Sequence, residues 1–498
     1  MVLSGEGPSG RCKSASAPEN TSVSTTSFER WFLGCLGLFY ALNLILTPPY
    51  QVPDESAHFY RAYQLSTGTV WGQKGASVLP DGRTREDSGG DIPVVLEHDF
   101  GHFSELQFHP ERHLSFDKWR AIARESPKLT PEATRVTGFR GTQYVLLPPV
   151  SYAPVALGIL AARVLELTTL HALYFGRAAN MAFALIVLYG TMRALGPCEK
   201  WKLGVLCLAG MPMTAFLLPS VSADSTAIGF SLLVVSLGLR LGDCWNERRF
   251  VAFLACAFLL ALCKPPYSVL AFMILPTICS SGRRWGTKTI QVALVLALSA
   301  GTATLWQASV AYLVIPFRSD INGSLTMRDQ VAFFLRNPVS LSFAFARQFL
   351  VVRAFEYWRS FVGVLGWLDT LIPVSVTWGY SALLATAALF GCSSDRERET
   401  KPWWSRWWNV ALVAGVVYLV MLSQYLVWSR VGSFEVFGIQ GRYFIPPAAL
   451  LLLQVPGIVR LSPGRFSVLK RVLFLSWGAL SSSVVATLLA RYWGFTFF

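Results

Sequence analysis

The chain has 498 residues, 53% hydrophobic and only 14% charged, with a formal net charge of +14 and a mean hydropathy of +0.44. A soluble domain carries about 25% charged residues, so the composition excludes one and indicates a polytopic membrane protein. The positive excess lies mainly in short loops between apolar segments, where it sets orientation, and no RNA or DNA motif accompanies it, so nucleic acid is excluded as a partner.

Met1 to Ser27 is rich in Ser, Thr, Gly and Pro. It reads as a disordered tail, and residues 1–30 are expected on the cytoplasmic side ahead of one membrane domain over 31–498. The tail lacks the basic start and cleavage site of a signal peptide, so Trp31 to Leu46 is expected to stay as a membrane helix. A spanning helix needs roughly 20 apolar residues. Segments meeting that pattern are 31–47, 172–192, 203–220, 225–241, 250–263, 267–281, 289–314, 371–391, 409–427, 443–459 and 471–490. The pair 250–263 and 267–281 is broken by Lys264-Pro265-Pro266.

One segment decides the parity. Residues 145–167 are apolar but hold Pro148, Pro149 and Pro154 and end with Arg163 and Glu166. If they lie in the interface, the loops with Arg193/Lys200/Lys202, Arg240/Arg248/Arg249, Arg283/Arg284/Lys288, Arg396/Arg398/Lys401/Arg406 and Arg460/Arg465/Lys470/Arg471 share one face. If they cross, the positive-inside rule fails in every later loop. The expected fold is therefore an all-α polytopic membrane protein of about eleven helices, N-terminus cytoplasmic and C-terminus outside. Two long external loops follow, 48–171 and 315–370, each carrying interfacial helices. No cysteine lies between Thr47 and Tyr144, so the first loop has no disulfide of its own and no zinc-thiolate site.

The first loop opens on Pro53-Asp54-Glu55-Ser56-Ala57-His58-Phe59-Tyr60-Arg61. Charge at a bilayer boundary can touch both a lipid headgroup and a water-soluble partner. The spacing predicts a helix with Pro53 at its start and Asp54 in its first turn. Asp54, His58 and Arg61 then share a face, with Glu55 about a quarter-turn away. The alternative is a capping carboxylate with local ion pairs. The same topology sends Asp224, Lys264, Arg442, Arg318, Asp320 and Asp369 to that side. Arg442 and Lys264 suit a phosphate, by planar fork and point charge, or they snorkel to lipid phosphates. Gly438 and Gly441 leave room beside Arg442 for a close ligand. The run Glu97-His98-Asp99-Phe100-Gly101-His102 holds metal-ligand types, with a solvated polar loop as the alternative; no residue is assigned to a metal, and a divalent ion stays open as cofactor.

These residues resemble the signature of a bacterial family of polytopic membrane proteins of unknown function, itself similar to the GT-C glycosyltransferases. The matching stretches are Pro53-Asp54-Glu55 with His58 and Arg61, Tyr144 to Pro154 with Gly176-Arg177-Ala178-Ala179-Asn180, Met211 to Asp224, Lys264-Pro265-Pro266-Tyr267, Leu365-Gly366-Trp367-Leu368-Asp369, and Gly438 to Phe444. The resemblance implies a bacterial cytoplasmic membrane, a polyprenyl-phosphate sugar donor, inversion at the anomeric carbon, and a catalytic carboxylate just after the first span.

The expected function is transfer of that sugar to a glycan or lipid-linked acceptor on the outer face. Asp54 is expected as general base, with Glu55 sharing or orienting. Arg442, Lys264 and Arg61 are expected on the donor phosphate, and His58, Asp224, Asp369, Gln440, Tyr443 and Tyr267 on the substrates. The rivals are a lipid or glycan flippase and a non-catalytic envelope assembly protein. A transporter needs ionisable residues at the bilayer midplane, and these spans hold almost none.

Overall fold

The structure is a computed structural model that describes residues 27–78, 84–315, 326–395, 404–455 and 457–496. Most of the N-terminal tail, together with Arg318, Asp320, Arg396, Arg398 and Lys401, lies outside the described residues.

Helix α1 (Ser27–Leu46) leads through a tight turn into α2 (Glu55–Ser66). Strands β1 (Gln73–Val78), β2 (Thr84–Pro93) and β3 (Thr137–Gly141) form an antiparallel sheet in that order, with α3 (His98–Ser104) and α4 (Phe116–Glu125) between β2 and β3. Helices α5 (Ala153–Val164) and α6 (Thr169–Leu195) pack on each other. Then come α7 (Glu199–Ala209), α8 (Pro212–Leu217), α9 (Ala223–Asp243) and α10 (Glu247–Ala261). A 3-10 run, Pro265–Ile274, enters α11 (Leu275–Ser280), followed by α12 (Trp285–Leu296) and α13 (Thr302–Val310). The second long loop holds α14 (Met327–Arg336), α15 (Pro338–Arg347) and α16 (Ala354–Gly363). Strands β4 (Val364–Leu365) and β5 (Thr370–Leu371) pair before α17 (Val374–Leu389). Strand β6 (Phe390–Cys392) precedes α18 (Trp404–Trp428) and α19 (Ile445–Gln454), and β7 (Val459–Leu461) precedes α20 (Pro463–Trp493).

Six of the described helices are long and apolar enough to cross a membrane: Ser27–Leu46, Thr169–Leu195, Ala223–Asp243, Trp285–Leu313, Trp404–Trp428 and Pro463–Trp493. The other apolar segments read from the sequence fall on shorter helices. Segment 203–220 breaks at Met211-Pro212, and Pro265 and Pro266 hold the next one in 3-10 geometry, since a proline ring removes a backbone donor. Helix α9 is central, with 78% of its apolar window buried against 22% for Trp285–Leu313.

One expectation needs correction. The fold is mostly helical but not all-α: the first loop contains the three-stranded sheet, in which Gly89 faces Gly141. Its middle strand, Thr-Arg-Glu-Asp-Ser-Gly-Gly-Asp-Ile-Pro, shows no apolar alternation and so gives no strand signal. Within 145–167 only α5 is a regular helix; its 12 residues reach about 18 Å, short of the roughly 30 Å of a bilayer core.

A candidate anion-binding site at the Asp54 end

Glu55 and Arg177 form the frame. Oε1 of Glu55 accepts from Arg177 Nε at 2.8 Å and from the Val221 amide at 3.1 Å. Oε2 accepts from Arg177 Nη2 at 2.6 Å and from the Tyr50 amide at 2.9 Å. The remaining Arg177 donors reach the carbonyls of Leu44, Thr47 and Pro48, at the end of α1. Asn180, one turn along α6, donates to the carbonyls of Ser220 and Ser222. This network ties α1, α2 and α6 to the turn before α9, so it fixes Asp54 relative to Asp224. Glu55 is fully buried with both oxygens bonded, an arrangement that fits the orienting role expected for it better than a shared proton.

Asp54 stands one residue earlier, in the left-handed region at φ 63°, and its side chain makes no capping bond. The helix therefore begins at Glu55, not at Asp54. Asp and Asn are the side-chain-bearing residues best suited to that backbone. Its side chain is 39% exposed and lies 3.6 Å from Nη2 of Arg442. Arg442 is only 5% exposed; its Nε is 3.7 Å from Oδ2 of Asp224, and Asp224 is in close contact with Lys264. The chain thus brings Asp54, Asp224, Lys264 and Arg442 into one cluster. Both Arg442 distances are too long for hydrogen bonds, and Nε and Nη1 have no hydrogen-bond partner. A buried guanidinium with idle donors is costly, and an oxyanion would satisfy it.

Aromatic rings wall the cluster. Arg442 and Lys264 lie 5.4 and 5.5 Å from the centre of the Tyr443 ring, and Tyr267 donates to the Tyr443 carbonyl at 3.0 Å. His58 shares a 2.6 Å hydrogen bond with the Tyr152 hydroxyl, and its ring centre is 3.9 Å from that of Tyr144. Burial pushes His58 down to about 3; Asp224 opposes this, while Lys264 and Arg442 reinforce it. The imidazole is therefore neutral near pH 7.

Other expected residues lie elsewhere. Arg61 is fully buried and turns away from Asp54, donating to the Val70 carbonyl at 2.6 Å. Asp369 pairs with Arg491 at 2.9 Å and accepts from the Phe108 amide, so it ties the first loop to the last helix. Gln440 precedes the 3-10 turn Gly441–Phe444 without a side-chain capping bond, and its buried Oε1 has no partner. Gly441 leaves no ligand space: a Cβ there would collide with the backbone of Tyr357 and Phe361 in α16, and its amide donates to Ser360. Gly438 is needed for its own backbone, at φ 79°. In the first loop, buried Asp99 accepts from Ser126 and Thr169, and among the described residues no three His, Cys, Asp or Glu side chains converge on a metal position.

Arg177, Tyr144 and Tyr152 were not among the expected site residues. Arg177 had a signal: an ionisable residue inside an apolar helix requires a named partner. The two tyrosines had none beyond their place in the stretch Tyr144 to Pro154 that carries the family resemblance.

No curated protein and no solved structure matches the chain. A family model described as "Predicted membrane protein (DUF2142)" matches residues 36–451, a stretch that includes Asp54, Arg177, Asp224, Lys264 and Arg442, and the chain belongs to that family of membrane proteins.

Proposed function

We propose that this chain is a glycosyltransferase that moves a sugar from a polyprenyl-phosphate donor to a glycan or lipid-linked acceptor. The single observation that carries this reading is Arg442: a buried guanidinium with idle Nε and Nη1, 3.6 Å from the half-exposed Asp54. In the reaction, Asp54 takes the proton of the acceptor hydroxyl, and the freed oxygen bonds to the anomeric carbon. The bond from that carbon to the phosphate oxygen breaks, and its electron pair leaves with the phosphate. One unit of negative charge thereby passes from Asp54 to the phosphate, beside Arg442 and Lys264. Attack opposite the leaving group inverts the anomeric carbon. Neutral His58 keeps a third cation out of the cluster.

The proposed setting is a bacterial cytoplasmic membrane crossed by about eleven segments, with the Asp54 end outside, as the basic loops on the other face require. The test uses the full chain in proteoliposomes with a panel of polyprenyl-phosphate sugars and glycan or lipid-linked acceptors. Asp54→Asn preserves the backbone preference and is expected to lower transfer about 10²- to 10⁴-fold. Full transfer by this variant at normal expression ends the base assignment. Substrate flux without any transfer replaces the enzyme with a transporter.

A further inference from the structure

Arg61 and Arg177 head the largest fully buried side chains among the described residues. Their surroundings differ sharply. Arg177 donates all five of its N–H groups, two of them to the Glu55 carboxylate. Among the described residues, Arg61 pairs with no carboxylate. Its one short bond is Nη2 to the Val70 carbonyl at 2.6 Å, while Nη1 stands 3.5 Å from both the Thr69 carbonyl and Oε1 of Gln64. Its Nε has no partner, and neither has Nε2 of Gln64, one turn further along α2. A buried cation without a counter-charge is among the most costly groups a fold can hold.

The cover over Arg61 is thin. The carbonyls that meet it belong to Thr69 and Val70, within the exposed run Thr67 to Trp71. That run turns at Gly68, φ 87°, and is held at its far side by the stacking of Trp71 on Trp306. Gly90 of β2 leaves the space that the Gln64 amide occupies. Tyr152, hydrogen-bonded to His58, interacts electrostatically with Arg61 and with Asp54 and Asp224. Six residues, Glu55 to Tyr60 in the first turns of α2, separate Asp54 from Arg61, about 9 Å along the axis.

We propose that Arg61 and Gln64 form a second oxyanion subsite, distinct from Arg442, that receives the carboxylate or phosphate of an acidic acceptor. The oxyanion displaces the Thr69 and Val70 carbonyls and engages the guanidinium fork, with Gln64 Nε2 as third donor. The subsite stands on its own geometry; that its occupant is the acceptor rests on the glycosyl-transfer reading.

The test uses the full chain in phosphatidylcholine nanodiscs, followed by thermal unfolding. Three probes separate the sources of the oxyanion: inorganic phosphate, a short uronic-acid oligosaccharide, and replacement of part of the phosphatidylcholine by phosphatidylglycerol. At least one is expected to raise the midpoint by about 2 °C near saturation. Arg61→Met is expected to abolish the rise without lowering the unliganded midpoint, and Arg61→Lys to weaken it by about tenfold, since the charge stays and the fork is lost. Arg442→Gln is expected to keep the rise while losing donor binding, so this subsite and the donor reading fail separately. If no probe moves the wild type, or if Arg61→Met does not fold or lowers the unliganded midpoint, Arg61 is a structural cation and the proposal is overturned.

Discussion

The two ends of the bundle use the same residue types to opposite effect. At the Glu29 end, Lys202 meets Glu29 at 2.9 Å and Glu199 at 3.6 Å, and Lys470 meets Glu199 at 2.5 Å. Asp395 accepts from the amides of Glu199 and Lys200, and the Lys200 ammonium reaches the Val455 carbonyl. These contacts join the starts of α1, α7 and α20, and each charge has its complement. At the Asp54 end the Glu55–Arg177 frame is equally closed, but the cluster it supports is not: Arg442 keeps two nitrogens, Nε and Nη1, without a hydrogen-bond partner and Asp54 is half-exposed. Closed networks hold helices in register. An open one, mounted on a closed frame, is what the proposed donor-phosphate site would require.

The largest test of this contrast lies at the closed end. Lys202→Met removes the buried cation facing Glu29 and is expected to cost about 3–5 kcal/mol of stability. Thermal unfolding in detergent checks the loss, and specific activity per folded molecule should not change. A fall in specific activity would mean that the closed end is more than scaffold. Next in size is Gly441→Ala. The added Cβ meets α16 backbone, so about 1–3 kcal/mol is expected, with a larger relative loss of donor binding because Arg442 is displaced. Unchanged donor affinity would separate Arg442 from the α16 contact.

The third test concerns pH. His58 is pushed down to about 3 from an ordinary value of about 6.5. Between those values the unfolded chain binds a proton at this ring and the folded chain does not. Stability from this group is therefore complete above about pH 6.5 and falls on acidification toward pH 3, by about 2 kcal/mol at pH 5. His58→Gln keeps a partner for Tyr152 and should remove that part of the slope. Wild type and variant with equal slopes from pH 7 to 5 would place the acid lability elsewhere.

Sequence pattern located every apolar segment on helical chain, because apolar runs and basic loops are local signals. It did not give their lengths, which Pro212, Pro265 and Pro266 cut short, nor the sheet of the first loop, whose strands are polar. The site was half legible. Charge placement brought Asp54, Asp224, Lys264 and Arg442 to one side, and the structure brings them into contact. Which carboxylate is free was not legible, since it turns on a left-handed Asp54 and on Arg177 more than a hundred residues away in sequence. Asp369 and Arg61 show the same limit: both sit in stretches with the expected chemistry, but tertiary partners decide what each side chain faces.

The smallest expected effect discriminates best. Arg442→Met removes a buried charge whose contacts with Asp54 and Asp224 are 3.6 and 3.7 Å, and whose Nε and Nη1 bond to nothing. Little bonding is lost, and a costly group is removed, so unliganded stability is expected to change by less than about 1 kcal/mol. Asp224 keeps Lys264 as its counter-ion. Donor binding, followed as ligand-induced thermal stabilisation, should vanish. Lys202→Met at the other end predicts the reverse pairing, large instability with binding retained. If Arg442→Met instead costs as much stability as Lys202→Met, then the Asp54 end is a second closed network, and the idle donors are no mark of a ligand site.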